Sequence, residues 1–448
     1  MNKELLEITD GFKRTLNLLK KPEKMMLFVA SIFMLLAGIL TNLPAVILGR
    51  LVDTMIGVEN LEFGIAKPFI ALIIIIILIR EILTVVRKYI VENIATKTEK
   101  RQTVDLVHHL LKTDISTINN QQIGALHGRI FRSIQGLVKI IKLGFLDFFP
   151  VFFSALAAIA IALYQKPLLA TVMILVIPTG LLIIVKQISS QKGIRVALLR
   201  GKEKIDGTVV EVLGGIETVR ALNTTDHETM KVEVIAEELR KKEIRHHIYM
   251  ALFDSMKYLN EGFFYILVIS LSIVFSAQGI ITRGDILVYS ILFLSITQPL
   301  REIHRILDEA HESSIRVNDL YKLLDQPVDI SFEPKTIKNE QKIPHSENAV
   351  VELKNLSFAY PGKTQLRILD SVNLTLKRGE KIGIAGASGC GKTTLIKILL
   401  RLIHGYSGDI YLNGKNLDSI DRNEISDTIA YVPQKTYIFS GTIRENIV

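Results

Sequence analysis

Long apolar runs constrain this chain of 448 residues more than any other feature it has. A helix rises about 1.5 Å per residue and satisfies its own backbone hydrogen bonds, so roughly 20 mostly apolar residues suffice to cross a bilayer. Residues 25–49, roughly 65–91, 143–163 and 167–185 meet that length directly. Residues 262–277 and 286–300 reach it if their helices continue into 254–261 and 301–307. Six spans are therefore expected.

The totals of 49% hydrophobic and 22% charged residues are ordinary; what matters is the clumping of the apolar ones. The net charge of +9 does not form one basic stripe with interleaved aromatics, so no nucleic-acid partner is expected. The basic residues sit instead in the two long loops, after the second and fourth runs. Lys97, Lys100, Arg101, Lys112, Arg129 and Arg132 lie in one, and Arg195, Arg200, Lys202, Lys204, Arg240, Lys241 and Lys242 in the other. With Lys20, Lys21 and Lys24 they place both termini and both long loops in the cytosol, by the excess of Lys and Arg on cytoplasmic loops. Neither loop contains proline, and Val104, Leu106, Val107, Leu110 and Leu111 keep a helical period, so the membrane helices are expected to run on into the cytosol.

Residues 1–24 precede the first run as a polar leader without a cleavable signal, and 5–19 are expected to form a surface helix on the bilayer. Arg80, Glu81, Asp147 and Glu261 are ionisable residues within or beside the apolar runs. Such residues often mark a substrate pathway, but these fall towards the cytoplasmic ends of their helices, which favours an interfacial placement.

Residues 331–348 are polar, with two prolines and no apolar period, and read as a linker. Strand patterns follow at 350–360, 372–376 and 381–385, then a helix from about Lys392 to Ile403. Between the third strand and the helix lies the stretch Gly386, Ala387, Ser388, Gly389, Cys390, Gly391, Lys392, Thr393. Glycines at this spacing let backbone N–H groups turn inward, the helix adds the positive end of its dipole, and the loop can cradle phosphate oxygens. Lys392 would reach the outer phosphates, and the Thr393 hydroxyl would be offered to Mg²⁺. A glycine turn that merely joins strand to helix would not need the lysine and threonine. Cys390 is the chain's single cysteine. It rules out an internal disulfide framework, and at its place the loop asks only for a small side chain.

Tyr360 upstream, in Phe358-Ala359-Tyr360-Pro361, and Gln434 downstream, in Tyr431-Val432-Pro433-Gln434, complete a pattern that resembles the nucleotide-binding domain of ABC transporters. The resemblance implies that Tyr360 stacks on adenine, that Gln434 joins Thr393 in the Mg²⁺ shell, and that Thr394 completes the ATP-binding set. Phe439-Ser440-Gly441-Thr442-Ile443-Arg444-Glu445-Asn446-Ile447 is similar to the exporter branch. Gly214-Gly215-Ile216-Glu217-Thr218-Val219-Arg220-Ala221-Leu222 resembles the second intracellular loop of exporter half-transporters, and 124–136 occupies the place of the first. In the family these loops carry short coupling helices.

The fold expected is an α-helical six-span membrane domain of ABC exporter type, followed by the N-terminal part of a P-loop α/β nucleotide-binding domain. The boundaries are a leader at 1–24, the membrane domain at 25–315, a linker at 316–348 and the nucleotide-binding part at 349–448. The family's signature sequence, Walker B carboxylates, catalytic glutamate and switch histidine have no counterpart here, so an incomplete sequence is expected and no catalytic residue is assigned. The resemblance implies ATP-driven export of an unidentified substrate by a dimer, homo- or heteromeric, of two half-transporters in a lipid bilayer. The cell membrane is the expected location. The alternative is a membrane-anchored ATP-binding or regulatory subunit that pairs with a complete partner and does not itself hydrolyse ATP. Use of the same fold for uptake is a third reading.

Overall fold

The computed structural model describes residues 3–56, 63–115, 123–190, 193–332, 349–360, 367–434 and 436–447. The chain divides into two compact units: Met1–Gln102 with Arg132–Asp319, and Thr103–Phe131 with Leu320–Val448.

The first unit is helical, and the end of α3, the start of α4 and the end of α11 belong to the second. An amphipathic helix α1 (Lys3–Leu18) precedes α2 (Lys21–Ile56) and α3 (Phe63–Leu111). Then come α4 (Ile123–Lys142), a π-helical turn at Leu143–Phe148 and α5 (Phe149–Gln165). α6 (Pro167–Ile174) and α7 (Val176–Ser190) form the next hairpin arm, followed by α8 (Ile194–Gly214), α9 (Ile216–Ala221), α10 (Thr225–Ala277) and α11 (Arg283–Leu324). Six helices among the described residues are long and apolar enough to cross a membrane, at the six places the sequence marks. Three run well beyond a bilayer's need: 49 residues in α3, 53 in α10 and 42 in α11. At about 1.5 Å per residue, α10 reaches roughly 80 Å. The helical period in the long loops therefore continues the spans, as expected.

Proline sets the irregularities. Pro150 has no N–H for the carbonyl of Leu146, and just ahead of it the helix slips to five-residue bonding, with the Phe149 N–H donating to Gly144 O. Pro178 leaves the Ile174 carbonyl without its usual donor, and α6 ends there. Pro167 opens α6 after Lys166 in an extended conformation, φ −145° and ψ 99°.

The spans meet through small residues and local polar pairing. Asn42 on α2 donates to Gly38 O and Ser154 O, each at 2.9 Å. At Gly284 on α11, a Cβ would sit 2.0 Å from Gly49 O, so only glycine lets these two backbones touch. The Gly284 N–H also donates to Asp53 Oδ1 at 2.7 Å. The four ionisable residues are all engaged. Arg80 pairs with Glu81 at 2.5 Å, Asp147 with Arg305 at 3.7 Å and Glu261 with Arg301 at 3.2 Å. Thr297 adds a hydrogen bond to Glu261 at 2.7 Å.

In the second unit, β1 (Ala349–Phe358), β2 (Leu369–Lys377), β3 (Ser407–Leu412) and the short β4 (Lys415–Asn416) form one antiparallel sheet in the order β2-β1-β3-β4. Helix α12 (Lys392–Leu399) packs on it, with α13 (Arg422–Thr428) and α14 (Ile443–Ile447) following. The core joins Leu353, Leu356 and Phe358 to Leu395, Ile398, Ile410 and Ile425. Alternation would send Leu353 and Leu356 to opposite faces, but the register shifts between them and Asn355 takes φ 52°, which turns both inward.

Two expectations change here. Residues 381–385 form no strand: no described strand lies beside them to pair with their ladder groups, and Ile382 and Ile384 are exposed. The helix expected to reach Ile403 stops at Leu399, because Arg401 turns to φ 50°. Of the expected linker, 333–348 lie outside the described residues.

Candidate functional site: a phosphate loop at a helix start

α12 begins directly on the glycine loop. Gly389 and Gly391 take φ 88° and 99°, in the left-handed region that side chains disfavour. A Cβ on Gly391 would lie 2.9 Å from Ile368 Cγ2 and 3.0 Å from Ile368 O, so the loop folds tightly over the start of β2. No side chain caps α12. Its first-turn N–H groups thus remain donors at the positive end of the helix dipole, the arrangement that suits an anion.

Lys392 stands on this turn. Its Nζ donates to Gly386 O and Ala387 O, both at 2.8 Å, and lies 3.6 Å from Cys390 Sγ. Neutral carbonyls hold the ammonium over the loop, and no carboxylate among the described residues cancels its charge. Ala387, Ser388 and Cys390 are exposed, as is Thr393 in the first turn of the helix. Thr394 is buried, and its Oγ1 lies 3.3 Å from the Tyr360 hydroxyl. Tyr360 meets the buried Phe358 edge to face, with ring centroids 5.0 Å apart, and is itself 37% exposed. The aromatic ring is thus anchored to the core and tied to the loop's helix. Gln434 is exposed in the irregular segment after α13, and no hydrogen bond joins it to the loop among the described residues. The structure therefore brings together all the site residues expected from the sequence except Gln434.

The far end of α12 carries a support that the sequence did not disclose. Asp329, in the segment after α11, is 5% exposed. Its Oδ1 accepts from His404 Nε2 at 2.8 Å and from the Ser331 N–H at 2.7 Å. Burial alone would raise this carboxyl, but the hydrogen bonds from His404 and Ser331 outweigh it and bring it down to about 2. Arg401, fully buried, donates to Ile420 O and, at 3.4 Å, to Ile330 O. The same segment reaches the end of α3: the Asp329 N–H donates to Lys112 O at 2.8 Å, Thr113 bridges Val328, and His109 Nε2 lies 3.0 Å from Gln326 O. Nothing local in the sequence marks these partners, since they lie far apart along the chain.

Comparison with known proteins agrees with both halves. The family model for the ABC transporter transmembrane region matches residues 27–300, and a second family model, described as ABC transporter, matches 369–447. An export ATP-binding/permease protein of Rickettsia bellii is 27% identical over 84% of this chain and 64% of its own length. The transport/processing ATP-binding protein ComA of Streptococcus pneumoniae is 22% identical over 84% of this chain and 51% of its own. An ATP-dependent lipid A-core flippase of Desulfotalea psychrophila is 22% identical over 95% of this chain and 73% of its own. The chain spans 64% of the length of the first of these relatives. Six apolar helices at the expected places, a glycine loop opening a helix, and two family matches that cover both regions in order lead to one assignment: the chain belongs to the ABC transporter family, in the exporter-type arrangement of a transmembrane region followed by a nucleotide-binding region.

Proposed function

We propose that this chain binds ATP with Mg²⁺ and forms part of a dimeric transporter that uses ATP to export a substrate across the membrane. The observation that carries the reading is the loop from Gly386 to Gly391, where helix-end donors adjoin the Lys392 ammonium, whose charge no carboxylate among the described residues neutralises.

In this reading the backbone of Gly386, Ala387, Ser388, Gly389, Cys390 and Gly391 holds the phosphates, and Lys392 exchanges its two carbonyl contacts for phosphate oxygens. Such charge-assisted bonds are roughly twice as strong as neutral ones. Tyr360 offers its partly open ring to adenine, while Thr394, bonded to it, keeps the ring in register with the loop. Thr393 presents its hydroxyl to Mg²⁺, with Gln434 as a second ligand. Among the described residues no cluster of three His, Cys, Asp or Glu side chains could hold a metal. The ion would accordingly be shared between phosphate oxygens, water and these two side chains, which suits the reluctance of Mg²⁺ to shed water.

The second half-transporter would complete the pair around a central pathway, with the nucleotide-binding region in the cytosol. Support for export comes from the relatives' names and from the exporter-type order of regions. The test uses the full chain in lipid nanodiscs and a fluorescent ATP analogue. Saturable, Mg²⁺-dependent binding that Lys392→Ala weakens strongly is expected, and equal binding by the variant would overturn the site. Inverted membrane vesicles then test direction: ATP-dependent accumulation means export, and its loss from preloaded vesicles means uptake.

A further inference from the structure

Beside α1 the helical unit is hollowed by a cavity of about 420 Å³, whose lining includes Lys13, Leu16, Lys24, Leu27, Phe28 and Phe145. Its floor is apolar and continuous with a buried cluster: Leu27 packs with Leu19, Met34, Ile141 and Phe145, and Leu16 lies against them. Phe28 is 68% exposed on the outward side, among the exposed apolar residues Met25 and Val29 of the first span. Lys13 and Lys24 complete the lining with two positive charges.

Nearby carboxylates leave those charges unmatched. Glu23 is held by Arg101, through Oε1 at 2.5 Å and Oε2 at 3.0 Å, and also accepts the Lys20 N–H at 2.7 Å. Asp10 pairs with Arg14 at 2.9 Å. Among the described residues neither Lys13 nor Lys24 has an ion-pair partner, and both are exposed. Lys20 and Lys21 extend the positive stretch.

Two lysines lining an apolar hollow, at the start of a membrane span, complement one chemistry: a phosphate diester that carries a hydrocarbon chain. A soluble anion would leave the floor uncovered. A zwitterionic lipid would bring its own cation to a rim that is already positive.

We propose that the hollow between α1 and α2 is a binding site for an anionic phospholipid of the leaflet on which α1 lies. Lys13 and Lys24 grip the headgroup phosphate, and an acyl chain follows Leu16, Leu27, Phe28 and Phe145. The lipid fastens the amphipathic helix to the first span. This site is separate from the nucleotide loop and stands whether or not the ATP-binding proposal does.

The full chain is to be placed in nanodiscs of phosphatidylcholine with graded phosphatidylglycerol in both leaflets, and the lipid retained after mild detergent release counted by native mass spectrometry. Wild type is expected to retain phosphatidylglycerol over phosphatidylcholine. Each lysine near an anionic lipid contributes enough for about a fivefold change, so Lys13→Gln/Lys24→Gln is expected to weaken retention roughly thirtyfold. Lys13→Arg/Lys24→Arg is expected to restore it, and Lys202→Gln/Lys241→Gln, with the same change of net charge elsewhere, to leave it unaltered. Equal retention of the two lipids by wild type, or unchanged retention by the double glutamine variant, would overturn the proposal. Both lysines are exposed, and circular dichroism checks that helicity is kept. The single glutamine variants give a graded second reading: a loss in neither one also overturns it.

Discussion

The spans and the phosphate loop treat the same chemical group in opposite ways. In α2, α3 and α10 nearly every backbone N–H is spent inside its own helix, and Arg80, Glu81 and Glu261 within the apolar stretches are paired. At the loop before α12 the first-turn amides are left as donors, and the Lys392 ammonium on the loop has no carboxylate partner among the described residues. A hydrocarbon surrounding penalises any unmet polar group, whereas a site for a polyanion requires unmet donors. One chain therefore spends its backbone donors within its helices in one region and leaves them free at a helix start in another, and damage to each should read out differently.

The largest effect is expected where backbones touch within the spans. Gly284→Val forces a side chain against Gly49 O, where a Cβ alone would already stand at 2.0 Å. Overpacking of this kind costs about 3 kcal/mol or more. The detergent-solubilised variant should melt well below wild type, and coincident melting curves would show that the helices part without penalty.

In the loop, the corresponding change should leave folding intact and remove function. Lys392→Ala is expected to weaken ATP binding roughly a hundredfold through lost charge-assisted bonds, with little change in melting temperature. A large loss of stability instead would make the lysine a structural group and erase the contrast between the regions.

Asp329 sits between these cases, a charge buried for support. Its folded value of about 2 lies below the ordinary 3.8. The carboxylate therefore contributes stability that is fully present above about pH 4 and is lost as the pH falls towards 2. At about 1.4 kcal/mol per unit, that contribution is roughly 2 kcal/mol. Asp329→Asn should lose it at neutral pH and show a flatter acid profile than wild type, measured by unfolding from pH 6 down to pH 2. Parallel profiles would contradict the assignment.

The smallest effect belongs to Tyr360→Ala. Stacking on a base contributes ~1 to 3 kcal/mol, so ATP should bind roughly tenfold more weakly while inorganic triphosphate binds as before. An equal loss for both ligands would mean that Tyr360 acts on the loop through Thr394 rather than on the base.

Much of this was legible from the residues, for reasons that differ by region. The spans announce themselves because apolar length is a local property, and the period in Val104, Leu106 and Leu110 carried the reading beyond the bilayer. The loop was legible because its spacing encodes backbone geometry, with Gly391 where only glycine passes. Residues 381–385 read as a strand from composition alone, yet a strand exists only beside another, and none is described there. β3 and α13 escaped notice because their apolar residues are few and their burial comes from β1 and α12 rather than from pattern. The bulge at Asn355 and the meeting of Asp329 with His404 were hidden for the same reason. Each is decided by residues distant in the chain.

The contacts around Asp329 also bear on how the molecule opens. Lys112–Thr113, Gln326–Asp329 and Arg401–His404 come from three widely separated stretches, yet each holds another through at least one of the bonds described. The middle stretch is bonded to both of the others, so the three should behave as a single cooperative opening unit. Amide hydrogen exchange would then show the Asp329 N–H, bonded to Lys112 O, and the Arg401 N–H, bonded to Ile398 O, released at one common rate, although 72 positions of sequence separate them.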